Sequence, residues 1–171
     1  MTGKKDIILI GMPGCGKTSI GRRIAPEWKR EFLDLDAEIE KNAGKSISQI
    51  FAQDGEQMFR RMETETFANA LGSGRVIATG GGIVTQPENR KIAAEGLVVF
   101  IDRPLTQIFG DVDISARPLL ADGKERLYRL WEERYPLYCA WADIHIANSL
   151  TLEDAVKKIM DEVSRHENYG D

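Results

Sequence analysis

The chain has 171 residues, of which 42% are hydrophobic and 29% charged, and 27 acidic against 23 basic side chains give a formal charge of −4. This composition excludes a disordered, collagen-like or membrane-embedded chain, and the charge offers no bulk basic field for nucleic acid or an anionic lipid surface. At about 150 residues per domain the length predicts one domain with its own core, so any bound anion must be held by a local arrangement.

Two cysteines, Cys15 and Cys139, are too few for a disulfide scaffold and favour a reducing compartment. The first apolar run is broken by Gly11 and Pro13 too soon for a signal peptide. No stretch approaches the roughly 20 apolar residues of a membrane span. A cytoplasmic protein is expected, with no membrane or nucleic-acid partner, and a monomer.

In chain order, Asp6–Ile10 is a β-branched run ended by glycine and predicts a buried strand. A helix should follow from about Gly16 to Ala25. Glu31–Leu35 predicts a second strand, and the segment from Ala37 to Ala43 a helix. Ser46 opens a short helix over SISQIF. Glu56–Leu71 predicts a longer one, with Phe59, Met62, Phe67 and Ala70 on one face. Arg75–Thr79 is a strand cut off by Gly80, Gly81 and Gly82. Asn89–Glu95 is helical, with a start as early as Pro87, and Leu97–Asp102 is the clearest strand of all. A helix near Leu105 precedes an irregular stretch from Gly110 to Gly123. Lys124–Trp131 resumes a helix that Pro136 should end or kink. Ala142–Ala147 is a last strand. Thr151 and Asp154 make a capping-box-like start for a final helix, in which Leu152, Ala155, Val156, Ile159, Met160 and Val163 keep the 3.6 period.

Five short apolar strands separated by helices predict a doubly wound α/β fold with a parallel sheet covered on both faces. Such sheets bind ligands at the carboxyl ends of their strands. After the first strand stands Gly11-Met12-Pro13-Gly14-Cys15-Gly16-Lys17-Thr18, a complete glycine-rich phosphate loop in its required context of strand before and helix after. Backbone amides of Gly14, Cys15, Gly16, Lys17, Thr18 and Ser19 can cradle phosphates at a helix N-terminus. Lys17 supplies a cation for the β- and γ-phosphates, and Thr18 a hydroxyl for Mg²⁺. Cys15 needs only its backbone amide there. The base-reading Asn-Lys-x-Asp of GTPases is absent, and the length suits a small kinase.

Two places offer a carboxylate for the metal. One is Asp102 at the end of Val98–Asp102. The other is the pair Asp34 and Asp36 at the end of the second strand, whose alternation points both to one side. Asp102 precedes Arg103-Pro104 and also reads as a cap for the next helix. One carboxylate of the pair can hold a metal-bound water while the other faces an acceptor hydroxyl; the ordinary alternative is a helix cap beside a solvated charge. Arg60 and Arg134 lie on charge-rich helices and read either as surface arginines or as a clamp for a carboxylate. Glu63, three residues after Arg60, shares its face and can hold its side chain in place. Gly80, Gly81 and Gly82 read as a plain turn or as backbone that a small polar ligand approaches closely. Arg117 reads as a solvated loop residue or as a lid arginine for the transferring phosphoryl group.

The segments GMPGCGKTSIGRRIA, FLDLDAEIE, SISQIFAQDGEQMFRRMETE, ATGGGIV, ARPLL and ERYPLY, in this order and spacing, resemble the shikimate kinase family along nearly the whole chain. The resemblance implies a P-loop kinase fold, a three-layer α/β/α sandwich on a five-stranded parallel sheet. It also implies a single domain over 1–171, with a substrate-binding helical segment over about 36–71 and a lid over about 110–123. It implies Mg²⁺-dependent transfer of the ATP γ-phosphoryl group to the 3-hydroxyl of shikimate, on the way to chorismate and aromatic amino acids. By position, Asp34 resembles the family's Mg²⁺-side carboxylate, acting through water, and Asp36 the carboxylate that binds shikimate hydroxyls and orients or deprotonates the attacking one. Arg60 and Arg134 are similar to the pair that grips the shikimate carboxylate, Gly80 to Gly82 to the substrate-side glycine loop, and Arg117 to the lid arginine. In that family the loop after the third strand stands for Walker B, which argues against Asp102 as a ligand.

The departure is before the lid. Many relatives carry an arginine there, near the adenine; this chain has Phe109 and Gly110, then Asp111 and Asp113. Phe109 can stack on a base, while two negative charges near a triphosphate are expected to weaken nucleotide binding. Asn148 and Ser149 fall where an adenine loop is expected. Two other functions fit parts of the pattern: a kinase for another acceptor such as gluconate or a nucleoside monophosphate, and a non-catalytic binding protein. Paired arginines favour a carboxylate acceptor over a nucleoside. The presence of Lys17, Asp36 and Arg117 argues against lost catalysis.

Overall fold

The computed structural model describes residues 3–111, 123–149 and 151–169. Strands β1 (Ile7–Ile10), β2 (Phe32–Asp34), β3 (Val76–Ala78), β4 (Leu97–Asp102) and β5 (Ile144–Ala147) form one sheet in the order β2-β3-β1-β4-β5. Every neighbouring pair is parallel, with Ile8 beside both Ile77 and Val98. Helices α1 (Lys17–Glu27), α2 (Leu35–Ala43), α3 (Ile47–Asp54), α4 (Glu56–Ala70), α5 (Pro87–Ala93), α6 (Leu105–Asp111), α7 (Lys124–Trp141) and α8 (Leu152–Tyr169) connect them. A short 3₁₀ turn, Ile83–Thr85, leads from β3 into α5. No helix among the described residues is long and apolar enough to cross a membrane.

Strand alternation divides the core in two. Ile7 and Leu9 of β1, Val99 and Ile101 of β4, and Ile144 and Ile146 of β5 face α1 and α8, where Ile20, Ile24, Ala155, Ile159 and Val163 cover them. Ile8, Ile10, Ile77, Val98 and Phe100 face the opposite way and are covered by residues of α2, α3, α4, α5 and α7. This is the expected α/β/α sandwich. Both faces are covered, so central strands such as β1 are buried at every position.

The expected helix stop at Pro136 is overturned: α7 runs unbroken from Lys124 to Trp141. Pro136 gives up one amide donor and crowds the carbonyl of Glu132, which costs about 3 kcal/mol. Against this, Leu127, Leu130, Tyr138 and Trp141 lie buried on one face on both sides of the proline, and each large apolar side chain contributes roughly 1.5–3 kcal/mol. Pro136 and Glu132 are exposed, so water can reach the carbonyl left without a partner. Helix α6 likewise extends to Asp111 and so takes in Gly110, the expected start of the lid. The rest of that expectation, from 112 to 122, lies outside the described residues.

One buried carboxylate fastens the amino end of β1. Asp6 is 4% exposed, and its two oxygens accept from the amides of Gly72 (2.6 Å) and Arg75 (2.7 Å) in the turn between α4 and β3. Asp6→Ala should therefore strand two amide donors and cost about 3 kcal/mol of stability, with Asp6→Asn between the two. Urea unfolding measures this; an Asp6→Ala midpoint equal to wild type would contradict it.

Candidate active site

The phosphate loop joins β1 to α1. Gly16, left-handed at φ 103°, is the N-cap of α1, and no side chain bonds to that helix start among the described residues. The first-turn amides of α1 are thus left for a ligand. The loop's carbonyls are held from outside: Arg103 Nη1 donates to Gly14 O and Asn148 Nδ2 to Cys15 O, both at 2.9 Å. Lys17 is buried, with Nζ donating to Gly11 O (2.7 Å) and Met12 O (3.0 Å). Cys15 is buried with Sγ 3.6 Å from that Nζ. Ser19 lines the cleft from the exposed side of α1.

Thr18 Oγ1 donates to Asp34 Oδ2 at 3.0 Å. Asp34 also caps α2, its Oδ1 accepting from Ala37 N at 3.2 Å. The expectation that Asp34 and Asp36 share a side by strand alternation is corrected here. β2 ends at Asp34, and Asp36 stands in the first turn of α2, so the two reach one cleft across a strand–helix junction. Asp102 stands apart from this pair, in line with the resemblance, which argues against it as a metal ligand. Its Oδ2 accepts from Tyr135 OH at 3.1 Å and lies 2.9 Å from His145 Nε2, and it is not among the cleft-lining residues.

The far half of the cleft is built on α4 and α7. Arg60 of α4 is buried and donates to Glu63 Oε1 at 2.9 Å, as the spacing predicted, and more weakly to Glu56 at 3.5 Å. Arg134 of α7 is buried, with Nε and Nη1 donating to no described atom. A buried guanidinium with free donors is costly unless an anion satisfies it. Between these arginines and the phosphate loop runs the Gly80–Gly82 turn. A Cβ on Gly80 would meet Asp36 Oδ1 at 2.9 Å and Glu63 Oε2 at 3.1 Å, and one on Gly82 would collide with the Arg60 guanidinium. The three glycines are required by close approach, not by turn flexibility. Tyr138, fully buried, donates its hydroxyl to Gly81 O at 2.6 Å; burial pushes that hydroxyl's pKa up, so it stays a donor.

A single cleft of about 640 Å³ is lined by Lys17, Thr18, Ser19, Asp34, Asp36, Arg60, Gly80, Gly81, Gly82 and Arg134 together. Sequence reasoning missed Arg103 and the apolar wall of Phe51 and Phe59, whose rings lie 4.9 Å apart. Phe59 read as an ordinary core residue. Arg103 gave only its place after a strand as a signal. Of the residues expected near the adenine, Asn148 bonds to the phosphate loop, and Phe109 packs on the core with Lys124 Nζ 5.7 Å from its ring centroid. Ser149 O accepts from Gln107 Nε2 at 3.1 Å. Arg117 and Asp113 lie outside the described residues, as does the side chain of Asp111.

Glu63 is the electrostatic outlier. Burial, opposed by Arg60, pushes its pKa up from 4.5 to about 7, and the charge of Asp36 adds to the rise.

A family model described as shikimate kinase matches residues 13–164. A shikimate kinase of Clostridium botulinum is 45% identical over 158 residues, covering 91% of this chain and 95% of the relative. One from Clostridium beijerinckii is 43% identical, covering 91% and 93%. The solved structure of shikimate kinase from Acinetobacter baumannii in complex with shikimate superposes with a TM-score of 0.89 at 34% identity, covering 95% of this chain and 94% of that one.

Between pH 4.5 and 7 the folded chain keeps a proton on Glu63 that the unfolded chain has released. Stability from this group therefore falls as pH rises through that window, by up to about 3 kcal/mol, and is level above it. Urea unfolding from pH 4.5 to 8 should show a fall in wild type that Glu63→Gln lacks. Parallel curves for the two proteins would refute the assignment.

Proposed function

The chain belongs to the shikimate kinase family, and on that footing we propose that it transfers the γ-phosphoryl group of ATP to the 3-hydroxyl of shikimate. The products are shikimate 3-phosphate and ADP, and the enzyme serves the route to chorismate and aromatic amino acids in the cytoplasm, as a monomer. One observation carries the acceptor assignment: Arg134, buried with two free donors, shares a cleft with Arg60 and with the phosphate loop. Two guanidinium groups suit a small acid, and the Acinetobacter relative was solved with shikimate.

In this reading Arg60 and Arg134 grip the shikimate carboxylate, and the Gly80–Gly82 backbone lies along the ring. Asp36 accepts a hydrogen bond from the attacking hydroxyl and orients it or takes its proton. The amides from Gly14 to Ser19 cradle the phosphates. Lys17 leaves the carbonyls of Gly11 and Met12 for the β- and γ-phosphates. Arg117 reaches the transferring group from the lid, and the helical segment over 36–71 closes the acceptor side. Alignment and charge stabilisation supply most of the rate in such transfers.

The residues at the loop mouth fit Mg²⁺. Thr18 Oγ1 and Asp34 Oδ2 are hard oxygen donors 3.0 Å apart, and no cluster of three or more His, Cys, Asp or Glu among the described residues could hold a metal alone. Mg²⁺ bound with a nucleotide keeps waters and takes phosphate oxygens, so few protein ligands are needed. Thr18 would ligate it directly and Asp34 through water. When bound, the ion neutralises charge on the β- and γ-phosphates.

A coupled assay over a panel of hydroxy acids should release ADP with shikimate and far more slowly with gluconate. Equal turnover on other polyol acids would favour a different acceptor. Lys17→Met and Asp36→Asn should each lower kcat about 100-fold or more with unchanged circular dichroism. Near wild-type turnover in Asp36→Asn would remove that residue from the mechanism. Gly82→Ala should raise KM for shikimate about tenfold or more and leave KM for ATP alone, because the new methyl displaces only the tip of Arg60.

A further inference from the structure

Beyond the transfer itself, we propose that Glu63 is the proton acceptor that keeps the acid half of the cleft in charge balance, so that the substrate carboxylate enters together with one proton from solvent. The inference rests on the function proposed above. The geometry has three parts. Glu63 is wholly buried, with Oε1 committed to Arg60 and Oε2 bonded to no described atom. Oε2 and Asp36 Oδ1 flank the same point at Gly80, each about 3 Å from where a Cβ would sit. The same Arg60 that holds Glu63 faces the cleft into which an acid must dock.

The charged groups around Glu63 can be named element by element. On α4 itself are Arg60 and, near the surface, Glu56. α2 contributes Asp36 and, lining the cleft, Glu40, which accepts from Ile47 N at 3.0 Å. α7 contributes Arg134. On α3, Asp54 is paired with Lys45. On α5, Glu88, Arg90 and Lys91 are exposed. The Gly80–Gly82 turn carries no charge. The inner set is therefore Arg60 and Arg134 against Asp36 and Glu63, which balances while the cleft is empty of substrate. A substrate carboxylate adds one negative charge beside two buried guanidinium groups. It also competes with Glu63 for Arg60, the main interaction that favours ionised Glu63.

Two carboxylates are available to absorb the imbalance, and they are not equivalent. Asp36 is needed as an anion toward the acceptor hydroxyl. Glu63 is the more deeply buried, and its carboxyl already titrates near neutrality. The added anion raises it further. The step is an ordinary protonation: Glu63 carboxylate, substrate carboxylate and one solvent proton become neutral Glu63 and bound anion. Asp36 then keeps its charge because its neighbour has lost its own. Glu63 in this role is a positioning residue with a proton readout, not merely a brace for Arg60.

Calorimetry of shikimate binding to the full chain, in phosphate and in Tris at pH 6, 7.5 and 8.5, counts the protons. The expected result is an uptake of about half to one proton per shikimate at pH 7.5, less at pH 6. Kd should rise toward about tenfold per pH unit once full coupling is reached. Glu63→Gln should bind shikimate without proton uptake and with a flat pH profile, whereas Asp36→Asn should retain the uptake. Should Glu63→Gln fail to fold, the carboxyl carbon shift of Glu63 in wild type, titrated with and without shikimate, reads the same shift. Measurable binding without uptake at pH 7.5 overturns this inference and leaves the proposed function standing; no binding at any pH overturns both.

Discussion

An arginine sealed from water needs an anion, and the arrangement of this protein turns on that need. Arg134 leaves Nε and Nη1 without an acceptor among the described residues. Its helix is nevertheless locked down by neighbours that have nothing to do with charge: Tyr138 stacks on Phe100 with ring centroids 5.1 Å apart and bonds to Gly81 O. Apolar burial on α7 thus holds a cation where solvation alone would expel it. Arg60 differs, because Glu63 and Glu56 answer it within its own helix. One guanidinium is held ready by a weakly acidic partner, the other by packing.

The nucleotide half follows a different logic. Its donors are backbone amides, and what has to be controlled is the direction of the peptide planes. The structure does this through the carbonyls. Arg103, at the exit of β4, takes Gly14 O, and Asn148, at the exit of β5, takes Cys15 O. Two strands on the same side of β1 therefore hold the loop that follows β1. Lys17, tied to Gly11 O and Met12 O, occupies the loop's own acceptors until a better anion arrives.

These two logics explain what could be read from the chain. The phosphate loop is a local motif, and β4 was legible to the residue because a run of five apolar residues, all buried, leads into Asp102. The expected cap at Ser46 is present as a full box with Gln49. Pro136 misled because a local rule met a long apolar face that outweighed it. Asp102 was settled by the resemblance and not by local pattern, because a strand-end carboxylate looks alike in sequence whether it faces a ligand or, as here, Tyr135 and His145. The pairing of Arg60 with Glu63 was visible from spacing, but the raised pKa of Glu63 was not. That property comes first from burial under the assembled fold, with a further rise from Asp36, which lies 27 residues away along the chain. Asn148 was legible as a loop residue near a ligand and not as a clamp, since its partner is 133 positions distant.

Strand order decides where the two halves meet. β3 lies between β2, which carries Asp34, and β1, which carries the phosphate loop. Whatever follows β3 must therefore pass between the acidic pair and the loop, in the space a phosphoryl group and its acceptor would share. A side chain at Gly80 would press on Asp36, one at Gly81 would meet Pro13 Cδ at 2.7 Å, and one at Gly82 would collide with Arg60. Those three neighbours belong to the acid pair, the phosphate loop and the arginine clamp in turn. The glycine run is thus the joint at which all three parts of the cleft touch. In this sheet the anion cradle comes against the acid clamp because the strand between them ends in backbone without side chains.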